Sequence, residues 1–501
     1  QNVKSTANWD FYKLIWDCEA WTPEVANYVG ELERWHFCAH FIRGEIPLRG
    51  GRRARRKALW KEANALSNAV FSHTGWNFAH FLGGSANEYL DFHAGRWLRA
   101  LDVAGDETAW PIEYYAPQLR WVRARLEANP LFGATDSRMH DIGNRQSPLH
   151  CHKVHLSVHA GEDYDHPASG LRHVDETIRF CAMRSGDRLG HALALGIDPG
   201  KWMNDHGDAL LTVDEHLDNL VWLWHYAGEL AEESVHAAQA QQELAQRISR
   251  FIPEVNWANG KGPTPQNLFD AWKLRINCPV RLDEAAGGLA LSPDLAMVVP
   301  DFELLLVSQG QDVSRELYLA RVMQEAALDV STEVESRLVL VRTYKSDLVI
   351  DGEPQYMDDV ESRNTLLFMR DLQDHLLNKC MENGLCIETN PTSNLYISRL
   401  LSYTEHPIFR WSPPESEDLL PFIGKWNQSG LRNGPVSVLI NTDDPGIMPT
   451  TLRMELALIE AAALELGYEP ALVTKWINDI RMRGMDVFGS NHVPVFTQLK
   501  P

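Results

Sequence analysis

The chain has 501 residues, of which 44% are hydrophobic and 23% are charged, proportions typical of a globular protein. The formal net charge of −21 argues against general nucleic-acid binding, because such binding needs positive surface to neutralise phosphates. The sequence contains no run of about 18 apolar residues and no signal-peptide pattern. We therefore expect a cytoplasmic protein with one large domain carrying insertions, or with two or three ordinary domains.

Seven cysteines are scattered along the chain and none forms a CxxC pair. This spacing predicts neither a disulfide framework nor a cysteine zinc cluster, and it fits a reducing compartment. The first residue is Gln1 rather than Met. We therefore expect that the natural N-terminus lies upstream or was processed.

The region before residue 96 is rich in Trp, Arg and small residues, and we predict helices over 22–41 and 52–71. The second helix begins in a basic cluster made of Arg49, Arg52, Arg53, Arg55, Arg56 and Lys57. We interpret this cluster as a solvated helix start, with a contact to an anion or to another subunit as the alternative.

From residue 97 onward, short apolar runs alternate with helical segments. The predicted strands are 97–104, 154–159, 188–191, 385–389 and 436–441, and the predicted helices are 114–128, 173–184, 365–383 and 419–429. This alternation is typical of a parallel sheet built from βα units. Polar residues gather at the C-terminal ends of the strands, where a βα barrel carries its chemistry.

A stretch of nearly two hundred residues separates His191 from Leu385, which is more than a bare barrel needs. We predict a strongly helical segment over about 214–252, stopped by Pro253. One face of it carries apolar side chains at helical spacing, namely Leu217, Leu220, Val221 and Trp224. That face either packs within the insertion or forms an oligomer contact.

The first candidate chemical motif is His159-Ala160-Gly161-Glu162. A histidine at the end of a buried strand can present a ring nitrogen to a metal, and the small residues after it allow a sharp turn. The turn brings Glu162 back over the strand end that carries His159, where a half-buried carboxyl group can act as a proton donor. A purely structural histidine at a strand end would fit this short motif equally well.

Two further motifs follow strands. Gly190-His191 ends the next predicted strand, and Asn441-Thr442-Asp443-Asp444-Pro445 follows an apolar run. Adjacent carboxylates repel each other, so a pair at a strand end usually needs a cation or a donor-rich ligand. The alternative is that Asp444 caps a following helix that begins at Pro445.

In this order, the motifs resemble the adenosine and AMP deaminase branch of the amidohydrolase superfamily. The segment 101–107 (LDVAGDE) resembles the family's strand-four segment, and 388–394 (ETNPTSN) resembles its strand-seven segment, followed by His406-Pro407. The resemblance implies an α/β fold, a (β/α)8 TIM-type barrel with a large, mostly helical insertion between strands six and seven. It divides the chain into an N-terminal helical or partial-barrel region (1–95), strands four to six (96–195), the insertion (196–364), and strands seven and eight with C-terminal helices (365–501).

The resemblance also implies a reaction, the hydrolytic deamination of adenosine or an adenine nucleotide. His159 and Asp443 would bind one Zn²⁺ per chain, and His191 would assist deprotonation of the metal-bound water. Glu162 would protonate the purine ring nitrogen, Asp444 would hydrogen-bond the water or the ring, and the Gly105 backbone would seat the base. The base-editing zinc deaminases, which use HxE with PCxxC, are excluded because PCxxC is absent.

Members of this family carry two more metal ligands as His-x-His on the first barrel strand. Nothing before Trp97 has that spacing, since His36 and His40 are four residues apart on a predicted helix and are not expected to bind. His150-Cys151-His152 has the right spacing, but it precedes the His159 strand directly and is interpreted as a loop. The missing pair, with the first barrel strands, is therefore expected upstream of Gln1. Alternatively, the barrel is catalytically incomplete and serves as an assembly scaffold or a nucleotide sensor.

The large insertion is similar to that of the enlarged deaminase subunits of the bacterial RADAR anti-phage system, the RdrB group. That likeness implies a role in anti-phage defence, with adenosine or a nucleotide such as ATP as substrate. It also implies a homo-oligomer that can reach the size of a shell, a partner ATPase, and no contact with a membrane.

Overall fold

A computed structural model describes most of the chain. The described residues are 30–31, 33–44, 51–71, 90–92, 94–128, 154–258, 260–285, 293–306, 312–328, 337–344, 357–398, 400–492 and 495–498. Within them the fold is mixed α/β.

The described strands, in chain order, are β1 (Phe37–Arg43), β2 (Leu90–Phe92), β3 (Leu98–Gly105), β4 (His155–Ala160), β5 (Arg188–His191), β6 (Ala209–Thr212), β7 (Leu338–Thr343), β8 (Met357–Glu361), β9 (Cys386–Thr389), β10 (Ser437–Ile440) and β11 (Phe496–Gln498).

The described α-helices are α1 (Gly51–Phe71), α2 (Ala116–Glu127), α3 (Pro167–Phe180), α4 (Pro199–His206), α5 (Val213–Glu229), α6 (Val235–Phe251), α7 (Pro265–Lys273), α8 (Pro279–Ala285), α9 (Pro293–Ala296), α10 (Val313–Leu328), α11 (Arg363–Glu382), α12 (Pro391–Ile397), α13 (Ile408–Trp411), α14 (Leu452–Glu465) and α15 (Pro470–Asn491).

Six of the described strands form one sheet in the order β1–β3–β4–β5–β9–β10, and every neighbouring pair is parallel. Five of these strands, β3, β4, β5, β9 and β10, are largely buried, as expected when both faces of a parallel sheet are covered, whereas β1 is only partly buried. Because the strands run in one direction, their C-terminal ends meet at one edge. The predicted strands from 97 onward coincide with β3, β4, β5, β9 and β10 to within about one residue.

The chain leaves the sheet after β5 and returns to the adjacent strand β9. The described part of the intervening segment is mostly helical and also contains a three-stranded sheet in the order β6–β7–β8, which the sequence did not predict. The predicted helical segment over 214–252 is helical in the structure, as two helices. It is broken into α5 and α6, because Ser234 caps a new helix by accepting a hydrogen bond from the Ala237 N–H at 3.1 Å.

The apolar face of α5 packs inside the molecule. Leu217, Leu220 and Val221 are buried, and Trp224 packs partly buried against the same core. Of the two interpretations of this face, internal packing is therefore the one that the structure supports.

Two other predicted helices need correction. The helix over 22–41 is wrong at its C-terminal end, where β1 begins at Phe37 and pairs with β3. The helix over 419–429 is also wrong, since a 3-10 turn (Ser416–Leu419) leads into turns. The side-chain amide of Asn427 donates to the carbonyls of Leu419 and Arg432 at 2.9 and 2.8 Å, which folds this segment into a compact loop instead of a helix.

The basic cluster at the start of α1 is tied into the fold instead of being simply solvated. Arg56 lies 3.3 Å from Glu325 Oε2 and 3.8 Å over the Tyr114 ring. Arg55 contacts the Tyr115 hydroxyl at 3.2 Å. Arg49 lies outside the described residues. No described helix combines the length and apolar character that would be needed to cross a membrane.

Candidate functional site

Neighbouring strands of the main sheet bring several of the sequence-predicted residues together at their C-terminal ends. His159 lies in β4 beside Gly190 of β5, and His191 ends β5. The ring centroids of His159 and His191 are 4.9 Å apart. Asp443 follows β10, with one carboxylate oxygen 3.8 Å from His191 Nε2. The parallel sheet therefore gathers these side chains at one edge, as the sequence predicted.

His159 is held by a buried carboxylate. Its Nδ1 lies 3.2 Å from Oδ1 of Asp102, a β3 residue that is only 2% exposed. Burial opposes a charge on His159, but the hydrogen bond and the charge of Asp102 raise the pKa of His159 to about 9. Because Asp102 occupies Nδ1, Nε2 is the nitrogen left to bind a metal, which is the usual role of a carboxylate behind a ligating histidine.

Glu107 organises the turn after β4. Its two carboxylate oxygens accept hydrogen bonds from the backbone N–H groups of Gly161 and Glu162, both at 2.9 Å. Gly161 has φ +76°, and a Cβ there would lie 2.7 Å from Val174 Cγ2, so the turn requires glycine. Sequence reasoning assigned no role to Glu107. A carboxylate directly after the β3 strand end was the available signal.

Glu162 is a buried carboxyl group in the centre of the site. Its side chain is 9% exposed and Oε1 lies 3.1 Å from His191 Nδ1. Burial raises the pKa of Glu162 to about 8, and the positive charge of His159 only partly offsets the effect. Glu162 is therefore protonated near neutral pH and can donate a proton.

The side-chain amide of Asn394 has a fixed orientation. Its Oδ1 receives hydrogen bonds from Thr389 Oγ1 at 2.8 Å and from the Asn390 N–H at 3.1 Å. A third donor is His406 Nε2 at 3.2 Å. Because three donors meet the oxygen, the Nδ2 group must point the other way, towards His191.

This orientation sets the protonation of His191. Asn394 Nδ2 donates to His191 Nδ1 over 2.7 Å, so the neutral imidazole carries its own proton on Nε2, the nitrogen that faces Asp443. Burial, together with the charge of His159, lowers the pKa of His191 to about 4, which keeps the ring neutral at pH 7. Nδ1 accepts the Asn394 hydrogen bond and carries no proton of its own, so it cannot donate to the Glu162 oxygen beside it. An ionised Glu162 would therefore receive no hydrogen bond from His191, in agreement with a protonated Glu162.

Two of the site residues have strained backbones. His191 has φ +60° and Asp443 has φ +58°, in the left-handed region that disfavours side chains with a Cβ. Asp443 is held there by a hydrogen bond from its N–H to Asn390 Oδ1 at 3.2 Å and by one from Ser393 Oγ to its Oδ2 at 2.7 Å. Backbone strain of this kind is concentrated at functional sites.

Asp444 is not brought to these residues. It is exposed, and its Oδ1 accepts a hydrogen bond from the Gly446 N–H at 2.8 Å within its own turn. Gly105 has φ +101° and its carbonyl accepts a hydrogen bond from Arg43 at 3.3 Å. The same guanidinium reaches the carbonyl of His159 at 3.2 Å, so Arg43 ties two strand ends together.

The other histidines that the sequence singled out lie in different places. His36 stacks on Phe488 with centroids 4.0 Å apart and takes no part in the site. His40, which was expected on a helix and not as a ligand, lies on β1 with Nδ1 3.1 Å from Asp102 Oδ2. His150-Cys151-His152 lies outside the described residues.

A cavity of about 710 Å³ opens beside Glu162. Its wall is acidic, and among the described residues that line it none is a lysine or an arginine; the carboxylates are Asp106, Glu162, Asp163, Asp165 and Asp208. Tyr164 and Trp202 stack in the same wall with centroids 5.4 Å apart. Trp202 also stacks on His206 with centroids 4.2 Å apart, so the aromatic rings support the wall, and the carboxylates give the cavity a negative potential.

A scan against models of known protein families finds no match, and a search of curated proteins finds no similar sequence. The protein is a mixed α/β protein. Its described part contains a parallel six-stranded sheet, and the strand ends of that sheet carry a cluster of histidines and carboxylates.

Proposed function

We propose that the protein is a metal-dependent hydrolase that deaminates adenosine or an adenine nucleotide such as ATP to the inosine form. The observation that carries the proposal is the meeting of His159, His191 and Asp443 around the buried, protonated Glu162. The parallel sheet is compatible with part of a (β/α)8 barrel whose strand ends carry the site.

Two of these residues could each offer one ligand atom to a metal ion. His159 offers Nε2 because Asp102 holds its Nδ1, and Asp443 offers a carboxylate to which Ser393 already donates one hydrogen bond. When bound, a Zn²⁺ ion would lower the pKa of water towards neutrality and so supply a nucleophile. Nitrogen and oxygen ligands of this kind suit zinc.

The chain's own residues would do the rest. Glu162 donates its proton to a purine ring nitrogen, which makes the neighbouring carbon more electrophilic. The proton that the water loses would pass to bulk solvent. His191 would assist this loss by donating a hydrogen bond from Nε2 to the oxygen of the nucleophile, which stabilises the developing anion. Asp444, turned towards Gly446, would have to swing inward to take part.

Turnover of adenosine, AMP and ATP by zinc-loaded protein, followed by the ultraviolet change as inosine forms, tests the proposal. Glu162→Gln should remove activity while the zinc content stays the same. Glu465→Gln, on the exposed face of α14, is the matched control and should be fully active. If zinc-loaded protein turns over no adenine substrate, the proposal is wrong.

A second candidate function is a non-catalytic barrel that serves as an assembly scaffold or nucleotide sensor. The outward position of Asp444 favours it. This candidate predicts no stoichiometric zinc at His159 and Asp443. Elemental analysis would test this in Cys38→Ser protein, in which the thiol near Asp102 cannot bind zinc. One zinc per chain in that protein, lost when Asp443→Ala is added, would count against the scaffold.

The role in anti-phage defence rests on the likeness of the long segment between β5 and β9 to the enlarged RADAR deaminases. It predicts that cells carrying the full system lose protection when Glu162 is replaced by Gln. Light scattering of the purified protein would test the expected homo-oligomer, and co-purification would test the partner ATPase.

A further inference from the structure

Cys38, His40 and Asp102 form a second group of metal-binding side chains next to the site described above. One ligand atom from each residue lies within 4.8 Å of the others. A thiolate, an imidazole and a carboxylate are the three kinds of side chain that bind zinc in proteins. Neither the deaminase proposal nor the resemblance behind it assigns a role to Cys38 or His40.

The register of two strands produces this arrangement. β1 and β3 are parallel, and His40 lies directly opposite Asp102 while Cys38 lies opposite Ala100. Since side chains alternate along a strand, Cys38 and His40 project from the same face, two residues apart. Asp102 projects from that same face of the adjacent strand, so three ligands from two strands converge.

The distances suit a metal ion. His40 Nδ1 and Asp102 Oδ2 are 3.1 Å apart, close to the separation of roughly 3.3 Å between two ligands that each lie about 2.0 Å from a tetrahedral ion. Asp102 is 2% exposed, whereas the His40 side chain is 48% exposed. The group is therefore anchored in the core at one side and open to entering ions at the other. An ordinary His–Asp ion pair would explain the 3.1 Å contact but not the thiol beside it.

We propose that Cys38, His40 and Asp102 bind a divalent transition-metal ion of the zinc type, at a site separate from His159 and Asp443. Water would complete the tetrahedron, and binding would release the thiol proton to solvent because the thiolate is the ligand. The ion would join β1, the end strand of the described sheet, to β3. Asp102 would then bind the ion through Oδ2 while Oδ1 continues to hold His159.

Titration with Co²⁺ tests this site, because a cysteine ligand produces a thiolate-to-cobalt charge-transfer band that histidine and carboxylate ligands do not. We expect the full-length protein to develop the band, with saturation at one thiolate-bound Co²⁺ per chain. Cys38→Ser should abolish the band, and His40→Ala should weaken Co²⁺ binding at this site at least tenfold. Cys386→Ser, a buried cysteine on β9 of the same sheet, should leave the band unchanged.

The titration also separates this site from the proposed catalytic one. Asp443→Ala should keep the charge-transfer band, and a protein without deaminase activity would still show it. The proposal is overturned if no band forms in the folded protein, or if the band persists in Cys38→Ser. Circular dichroism of each variant establishes folding. If His40→Ala proves unfolded, the conservative His40→Gln variant replaces it, and unchanged Co²⁺ affinity in a folded His40 variant would exclude His40 as a ligand.

Discussion

Asn394 donates a hydrogen bond to His191 over 2.7 Å, and this contact decides which imidazole nitrogen carries the proton. The amide cannot reverse without losing three hydrogen bonds to its oxygen. His406 supports it from behind, because its Nδ1 accepts from the Ile408 N–H at 3.1 Å, which leaves its Nε2 as the donor. Burial lowers the pKa of His406 to about 3 and keeps that ring neutral.

Replacing Asn394 with Asp should therefore reverse the tautomer of His191. The carboxylate would accept a hydrogen bond from Nδ1–H, whereas the amide donates a hydrogen bond to Nδ1. The neutral ring would then carry its proton on Nδ1 and none on Nε2. We expect kcat to fall by about 10²- to 10⁴-fold, the range found when a catalytic histidine is held in the wrong tautomer or an acid–base group is lost. Nitrogen NMR of the imidazole should report the change directly. Asn478→Asp, on the exposed face of α15, is the control, and an unaltered nitrogen spectrum in Asn394→Asp would contradict the assignment.

Glu107→Gln should loosen the turn that carries Glu162. Each carboxylate oxygen of Glu107 accepts a separate backbone N–H, and a glutamine would place its NH₂ group against one of those donors. A buried donor without a partner costs about 1–3 kcal/mol, so the free energy of unfolding measured in urea should fall by about that amount. Activity should fall with it. Equal stability of Glu107→Gln and the surface variant Glu465→Gln would show that the turn is held in another way.

The acidic cavity should discriminate against phosphate. Because its described lining has carboxylates but neither lysine nor arginine, we expect adenosine to have a higher kcat/KM than AMP. Asp165→Asn, which removes one exposed charge, should raise kcat/KM for AMP by roughly two- to fivefold at low salt, and less at high salt because ions screen the interaction. Adenosine should be little affected. Asp270→Asn on α7 serves as the control, and an equal change for both substrates would argue against charge repulsion.

A buried charge cluster in the insertion should make the protein sensitive to acid. Asp359 is 6% exposed, and although burial opposes its ionisation, the hydrogen bond from His216 at 2.7 Å and the charge of Arg247 hold the pKa of Asp359 near about 2. A carboxyl whose pKa is lowered on folding stabilises the fold above its ordinary pKa. That stabilisation, about 2 kcal/mol, is lost as the pH falls from about 4 towards 2.

Asp359→Asn should remove this dependence. At pH 7 the variant should be less stable than the natural chain, and the difference between the two should shrink between pH 4 and pH 2. Urea unfolding at a series of pH values measures the free energy of unfolding of the variant and of the natural chain. Asp358→Asn, one residue away, is the control. A gap that stays constant down to pH 2 would assign the stabilisation to packing instead of charge.

The strand ends were readable from the sequence because they combine two strong local signals. In β4 and β10 a short apolar run is followed at once by polar residues, so the position of His159 and Asp443 at the sheet edge followed from the pattern alone. The small residues Ala160 and Gly161 predicted a sharp turn after β4, and the structure shows that a Cβ at Gly161 would have no room. Contacts between strands were not readable, and the Glu107 and Asn394 hydrogen bonds depend on them.

β1 shows why the rest escaped prediction. It is only partly buried and lies at the end of the described sheet. His40 in the strand and His36 just before it are four residues apart, as they would be on one face of a helix. Only pairing with β3 makes it a strand, and a pairing partner some sixty residues away leaves no trace in local periodicity. The approach of Cys38 and His40 to Asp102 was missed for that reason. Asp444 lies outside the cluster because its side chain accepts a hydrogen bond within its own turn. The alternative, a helix that begins at Pro445 and is capped by Asp444, is wrong, since the next helix begins at Leu452.

At Asp443 the left-handed backbone makes the residue that suits stability different from the residue that suits function. Glycine there would relieve about 1 kcal/mol or more of conformational strain, by the ordinary penalty for a Cβ in that region, and the side chain that it removes is partly exposed. Glycine at His191 would gain the same relief, but it would empty a buried position and leave the Asn394 amide donor without its acceptor, which costs more. A laboratory selection scored on heat resistance alone would therefore be expected to enrich Asp443→Gly, and the survivors would have lost the carboxylate that faces His191 across the site. Thermal tolerance gained at this position would itself be a sign that the chain keeps the aspartate for chemistry.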